Sequence, residues 1–290
     1  MTLPALFSPL KTPALPCSED MQQFDLDRYC QKIKHQHQVR TTEEGLRSLH
    51  RQQLCNIPFE NFDVLLGRPI QLDPGSLFAK LVCRPRGGYC FELNGLFLHV
   101  LQSLGFEARP LLARVHLSGS SVIGRGHQIS LVTIGGREWL TDVGFGGSNM
   151  REPIPLEIDR LNHCNGQDLR LVRADPYGTM LQALAGDGQW LNLYSFDREY
   201  VGPGDIKYGN YYTSTHPDSI FTRDRIASLA TSQGRVSLNN LSLRIVQDDR
   251  ERITELGNDH RYLDSLKTHF GIELDASYDM LPALPAATYR

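Results

Sequence analysis

The chain has 290 residues, of which 40% are hydrophobic and 22% charged, and its formal net charge is −3 at pH 7. A chain of that length buries a large core and is expected to divide into two or three domains. Its charge balance, with no basic block, excludes a nucleic-acid partner. Six cysteines are too sparse for a disulfide scaffold, and with no C-x-x-C pair no metal is expected.

In chain order, Met1–Leu10 lacks a cationic start and is broken by prolines, so it does not read as a signal peptide. Residues 1–20 are proline-rich and aperiodic, and read as an extended arm. The spacing then turns helical. Leu26, Tyr29, Cys30 and Ile33 share one face of a short helix. Thr41-Thr42-Glu43-Glu44 has capping-box spacing, with Thr41 as cap and Glu44 reaching back, ahead of a helix burying Leu46, Leu49, Gln53 and Leu54. Asp73-Pro74 starts another, with Leu77, Phe78 and Leu81 inward. A fourth starts near Cys90, buries Leu93, Leu96, Phe97, Val100, Leu101 and Leu104, and stops at Gly105. Its uncharged run Leu93–Gly105 is well short of the roughly 20 residues a membrane helix needs. A cytoplasmic protein with no membrane partner is therefore expected, and residues 21–105 read as a helical bundle.

Beyond residue 105 the period changes to two. Leu111, Ala113, Val115 and Leu117 alternate along one strand; Gln128–Ile134 and Trp139–Val143 form two more, joined through Gly135-Gly136. Leu169–Val172 and Trp190–Phe196 follow, so residues 106–205 read as an antiparallel sheet or small barrel. The remainder, 206–290, mixes strands with a last helix. A hairpin is expected around Asn239-Asn240, and the helix carries Tyr262, Leu263, Leu266 and Phe270 before Gly271.

Arg86-Gly87-Gly88-Tyr89-Cys90 holds the sharpest chemical signal. Two glycines deliver a thiol to a helix start with an arginine nearby, and both the helix dipole and cations favour a thiolate nucleophile. His127 and Asp142 complete a possible set. If Gly135-Gly136 makes a two-residue hairpin, Ile134 opposes Arg137, His127 faces Gly144, and Asp142 is its diagonal neighbour about 7–8 Å away on the same face. An imidazole there takes the thiol proton, and the carboxylate fixes its tautomer. Read as structure alone, Cys90 is a small buried hydrophobe, His127 a satisfied core residue and Asp142 a strand-end turn former. The residues leave both readings open and name no substrate.

The run from Arg86 to Asn94 resembles the signature of the arylamine N-acetyltransferases, as do Pro58-Phe59-Glu60-Asn61, Trp139–Gly146 and Ser214–Ser219, in order and at about the family's spacing. The resemblance covers residues 21–290 and leaves out the arm. It implies an α+β fold: an N-terminal helical bundle, a central antiparallel β-barrel and a C-terminal α/β lid, with a triad like that of cysteine proteases. It also implies that Cys90 is the nucleophile, His127 the base and Asp142 the orienting acid. Acetyl-CoA is then a co-substrate, no cofactor is tightly bound, and the acceptors are arylamines or arylhydrazines, with N-arylhydroxylamines as possible O-acceptors. By the same resemblance Glu60 and Arg86 form a structural ion pair, Phe59 and Phe145 line the acceptor pocket, and Gly144, Gly146, Gly147 and Ser148 lie near the CoA pyrophosphate. His216 is expected to hold the lid together. The expected assembly is a monomer or weak homo-oligomer. A cysteine hydrolase, an amide synthase of the same fold and a non-catalytic binding module are the competing readings.

Overall fold

The computed structural model describes residues 25–36, 38–117, 124–248 and 250–284. The proline-rich arm lies outside them. Five helices lead the described chain: α1 (Leu26–Lys32), α2 (Glu43–Asn56), α3 (Phe62–Leu65), α4 (Pro74–Leu81) and α5 (Cys90–Ser103), with a short strand β1 (Phe59–Glu60) between α2 and α3. The apolar faces of α1, α2, α4 and α5 meet in one core that includes Leu46, Leu49, Phe78, Leu81, Phe97, Val100 and Leu101, whereas α3 packs Phe62 and Leu65 into a separate core with Tyr262 and Leu266. Asp73 caps α4 with Pro74 in its first turn, as expected. Gly105, at φ 84°, ends α5 in the left-handed conformation that glycine adopts without steric cost. The α2 start differs from expectation by one residue. Thr42 is the cap, accepting the Gly45 N–H at 3.2 Å. The incoming chain folds so closely over this turn that a Cβ on Gly45 would sit 2.1 Å from the Arg40 carbonyl. With glycine three residues after the cap, no carboxylate reaches back.

Eight strands follow: β2 (Glu107–Val115), β3 (His127–Ile134), β4 (Arg137–Thr141), β5 (Ile154–Pro155), β6 (Asn162–Cys164), β7 (Gln167–Arg173), β8 (Thr179–Leu184) and β9 (Trp190–Phe196). They form an antiparallel sheet in the order β5-β4-β3-β2-β9-β8-β7-β6. It curls into a nearly closed barrel around Leu111, Ile129, Leu140, Leu169, Leu181 and Phe196. The opposite face of β2–β4 contributes Leu112, Val132 and Trp139 to the helical core, so these strands are buried on both sides. The alternation expected to run to Leu117 stops earlier. Pairing of β2 with β9 ends at Val115, the chain leaves the sheet, and Leu117 is 49% exposed.

The last part holds α6 (Pro203–Thr215), β10 (Ile226–Thr231), β11 (Gly234–Asn239), β12 (Ser242–Gln247), β13 (Arg250–Glu255) and α7 (Arg261–Phe270). Its sheet runs β1-β10-β11-β12-β13, so β1 from the helical region joins it through Phe59 opposite Ser228 and Glu60 opposite Ala227. The β11–β12 turn is Asn240-Leu241, one residue later than expected, because Asn240 takes the positive φ of 56°. The α6 helix has no counterpart in the sequence reading. Only Thr213 is buried along it, so it carries no apolar stripe. Tertiary contacts hold it instead: Thr213 Oγ1 donates to the Gly126 carbonyl, the Tyr89 hydroxyl to the Asn210 amide oxygen, and Gly209 packs so tightly on Phe91 that a Cβ there would lie 2.8 Å from the ring.

Candidate active site

The chain entering β1 leaves no room for a side chain at residue 87, and the Glu92 side chain leaves none at residue 88. A Cβ on Gly87 would lie 2.0 Å from the Pro58 carbonyl. Gly88 exchanges main-chain hydrogen bonds with Pro58 and Glu60, at 3.2 and 2.9 Å. Tyr89 then takes an extended conformation and its N–H donates to Glu92 Oε2 at 3.0 Å, so that α5 begins at Cys90. The thiol is buried, with Sγ 3.8 Å from the carbonyl oxygen of Gly126, the residue before His127, and it helps to raise the His127 imidazole.

The hairpin that carries His127 and Asp142 forms in the expected register. Gly135 and Gly136 have φ of 58° and 81°, the turn pairs Ile134 with Arg137, and the ladder runs to Ser130 opposite Thr141. Asp142 follows at once. His127 Nε2 lies 2.7 Å from Asp142 Oδ2, and both side chains are buried. The other carboxylate oxygen, Oδ1, accepts from Asn94 Nδ2 and from the Gly144 N–H, each at 2.9 Å. Asn94 stands one helical turn beyond Cys90, and its Oδ1 accepts the Val143 N–H at 3.0 Å. With Nε2 engaged, Nδ1 is the imidazole nitrogen left for the sulfur.

The electrostatics follow from this packing. Burial opposes ionisation of Asp142, but His127 and the bonds from Asn94 and Gly144 hold its carboxyl below the usual range. Burial likewise opposes a charge on His127. The Asp142 carboxylate beside it overcomes that cost, helped by Cys90, and takes the imidazole up to about 10.

Aromatic rings enclose the group. Phe145 meets the His127 ring at 5.1 Å and Tyr194 at 5.0 Å, and Tyr194 lies 5.3 Å from His127. Phe59 packs on Gly146 and on Phe221, which in turn stands edge-on to Tyr89. Glu60 and Arg86 form a buried ion pair, Arg86 Nε to Glu60 Oε1 at 2.8 Å. The pair extends through Asp63 to Lys80 and from there to Glu92, at 2.9, 2.6 and 2.7 Å. Burial of Asp63 is outweighed by Lys80 and Arg86, which hold its carboxyl at about 2.

Of the glycine-rich residues, Gly146, Gly147 and Ser148 form a single 3-10 turn on the wall of a cleft of about 700 Å³ between the barrel and the C-terminal sheet. Arg151, Ser228 and Arg235 line the same cleft. Gly144 sits elsewhere, against α5: a Cβ there would lie 2.7 Å from Asn94 Nδ2 and 3.0 Å from the Cys90 Cα. His216 stacks on Tyr212 at 4.4 Å and accepts the Asp218 N–H. Asn94, Tyr194 and the cleft arginines were not singled out from sequence. Only Asn94 left a signal there, its helical spacing from Cys90. Among the described residues no group of three or more His, Cys, Asp or Glu is placed to hold a metal ion, and no helix is long and apolar enough to cross a membrane.

Comparison with known proteins defines the class. The N-acetyltransferase family model matches residues 42–278, so this chain is an acetyltransferase. The arylamine N-acetyltransferase of Mycolicibacterium smegmatis is 33% identical over 87% of this chain and 93% of that protein. The arylamine N-acetyltransferase / N-hydroxyarylamine O-acetyltransferase of Salmonella typhimurium is 40% identical over 62% of this chain and 64% of its own length. The structure of the Mycobacterium marinum arylamine N-acetyltransferase in complex with CoA superposes with a TM-score of 0.83 at 32% identity, covering 89% of this chain and 97% of that one. The chain belongs to the arylamine N-acetyltransferase family, and the expected α+β fold of bundle, barrel and lid is the one observed.

Proposed function

We propose that this protein transfers the acetyl group of acetyl-CoA to the nitrogen of arylamines and arylhydrazines through a thioester on Cys90, in two half-reactions. The observation that carries this reading is the buried His127 Nε2–Asp142 Oδ2 pair at 2.7 Å, with the Cys90 sulfur 3.8 Å from the carbonyl oxygen of the residue preceding His127, inside a member of this family. In the first half-reaction the Cys90 sulfur attacks the acetyl carbonyl with its proton already held on His127 Nδ1. The C–S bond to CoA breaks, and the departing sulfur takes the proton back from His127. In the second, the amine nitrogen attacks the Cys90 thioester, His127 accepts the amine proton, and the amide leaves as the thiol is restored. Asp142 keeps Nε2 occupied, which fixes the tautomer and offsets the imidazolium charge.

Donor and acceptor approach from different sides in this reading. The cleft beside Gly146, Gly147 and Ser148 seats the CoA phosphates. Arg151 and Arg235 offer positive charge there, and the Ser228 hydroxyl is buried without a hydrogen-bond partner. The Phe145, Tyr194 and Phe59 rings form an apolar wall suited to an aromatic acceptor. O-acetylation of N-arylhydroxylamines, named for the Salmonella relative, uses the same thioester with an oxygen nucleophile.

Intact-protein mass spectrometry after mixing with acetyl-CoA alone tests the proposal. A single added acetyl group is expected, mapped to Cys90 and discharged by an aniline or hydrazide. Labelling of a different cysteine, or none, overturns it. Steady release of CoA without an acceptor marks a hydrolase instead.

A further inference from the structure

His50 lies on α2, outside the residues the transfer mechanism uses, and it is fully buried. Its Nε2 stands 3.0 Å from the main-chain carbonyl oxygen of Asp142. A carbonyl only accepts, so Nε2 carries the ring proton and Nδ1 is bare. Nδ1 is buried with no hydrogen-bond partner, and the ring stands edge-on to Phe97 at 5.8 Å. A leucine would fill such a slot without leaving an idle buried acceptor, whose desolvation has a cost. The donor on the other side of the ring is what a leucine lacks.

That donor meets a specific need of the chain. The β3–β4 ladder ends at Ser130 opposite Thr141, so Asp142 is the first residue past it and its carbonyl points to no strand partner. His50 supplies the partner from α2. Asn94 holds the next N–H, of Val143, and one carboxylate oxygen of Asp142 from α5. The peptide from which the Asp142 carboxylate springs is thus fixed between two helices.

We infer that His50 is a positioning residue for acetyl transfer: its Nε2–H pins the Asp142 main chain so that Oδ2 meets His127. This rests on the proposed Cys90 thioester chemistry. The ring acts as a neutral donor. Burial presses it down to about 4, against the upward pull of Asp142 and Glu152 and with a further push down from Arg47.

The test is single-turnover acetylation of Cys90, read by rapid-quench mass spectrometry, with melting temperature measured in parallel. His50→Leu fills the slot but has no donor; it is expected to slow the maximal acetylation rate about 10- to 100-fold while half-saturation by acetyl-CoA moves less than about 2-fold. His50→Gln carries an amide N–H at a similar reach and is expected to return to within about 3-fold of the parent rate. Parent-like acetylation in His50→Leu overturns the inference, as does a Gln variant as slow as Leu. If His50→Leu does not fold, His50→Asn, whose amide falls short of the carbonyl, takes its place: slow acetylation supports the role, and a rate equal to that of Gln overturns it. A parent protein that takes up no acetyl group refutes the proposed function instead.

Discussion

Two buried charge clusters flank Cys90, and they differ in what they leave unused. On the barrel side, His127 and Asp142 pair at 2.7 Å, and the imidazole keeps one nitrogen for the thiol. On the helical side, Arg86 and Lys80 are each held between two carboxylates, Arg86 by Glu60 and Asp63, Lys80 by Asp63 and Glu92. Both clusters satisfy the rule that buried charge is paired. In the first, the imidazole is held at about 10; in the second, Lys80 is pushed further up by its carboxylate partners against burial, Asp63 is held at about 2, and burial raises the Glu92 carboxyl. In the proposed mechanism the first cluster moves protons, and the second braces the loop that carries Cys90.

The sharpest break of this comparison comes from the sulfur itself. Cys90→Ala is expected to abolish covalent acetylation and turnover while leaving the fold intact, because the thiol occupies a small buried volume. Turnover surviving in that variant would remove the reason for distinguishing the clusters. His127→Ala comes next. It is expected to slow alkylation of Cys90 by iodoacetamide and acetyl transfer by about 10²- to 10⁴-fold, the usual worth of a positioned general base. A mutant thiol that reacts at the parent rate would mean the imidazole is not the activating group.

Removing Arg86 probes the other cluster. Arg86→Ala leaves Glu60, which is fully buried, without its cation. The expected loss is about 3–5 kcal/mol of unfolding free energy. Glu60 Oε1 also accepts the Gly87 N–H at 3.3 Å, so the loop to Cys90 loosens with it. Urea unfolding measures the loss. The protein that remains folded should still acetylate at Cys90, since no atom of Arg86 takes part in the transfer. Equal losses of stability and rate in the folded fraction would erase the distinction.

The two clusters also differ in how far sequence alone revealed them. The hairpin through Gly135-Gly136 demands positive φ at two adjacent residues, so its register, and with it the meeting of His127 and Asp142, followed from local turn chemistry. The helix starts at Asp73-Pro74 and Cys90 were legible for the same local reason. Asn94 and His50 were not, because their partners lie 48 and 92 residues away. The α6 helix escaped because Tyr208, Tyr211 and Tyr212 face solvent, so its sequence shows no apolar period to read. The glycine-rich run behaved as a composite. Gly146, Gly147 and Ser148 open on the cleft, whereas Gly144 serves close packing on α5, and a string of glycines does not announce which is which.

The smallest expected effect is a dependence of stability on pH that differs between the clusters. His127 is raised above its ordinary value of 6.5, so its pairing stabilises the fold fully below that pH and is lost as pH rises through about 10. Asp142 and Asp63 are both lowered from 3.8, so their contributions are present above that value and are lost as pH falls, for Asp63 through about 2. The unfolding free energy of the parent minus that of His127→Ala is therefore expected to be largest between pH 3.8 and 6.5 and to shrink towards pH 10. The corresponding difference for Arg86→Ala should hold level across the same alkaline range, because Asp63, held at about 2, is ionised throughout it and the Arg86 guanidinium is raised above its already high ordinary value. Denaturant titrations at a series of pH values read both curves. Parallel curves would mean that the imidazole is no more titratable in the fold than the guanidinium, and the contrast between the two clusters would lose its basis.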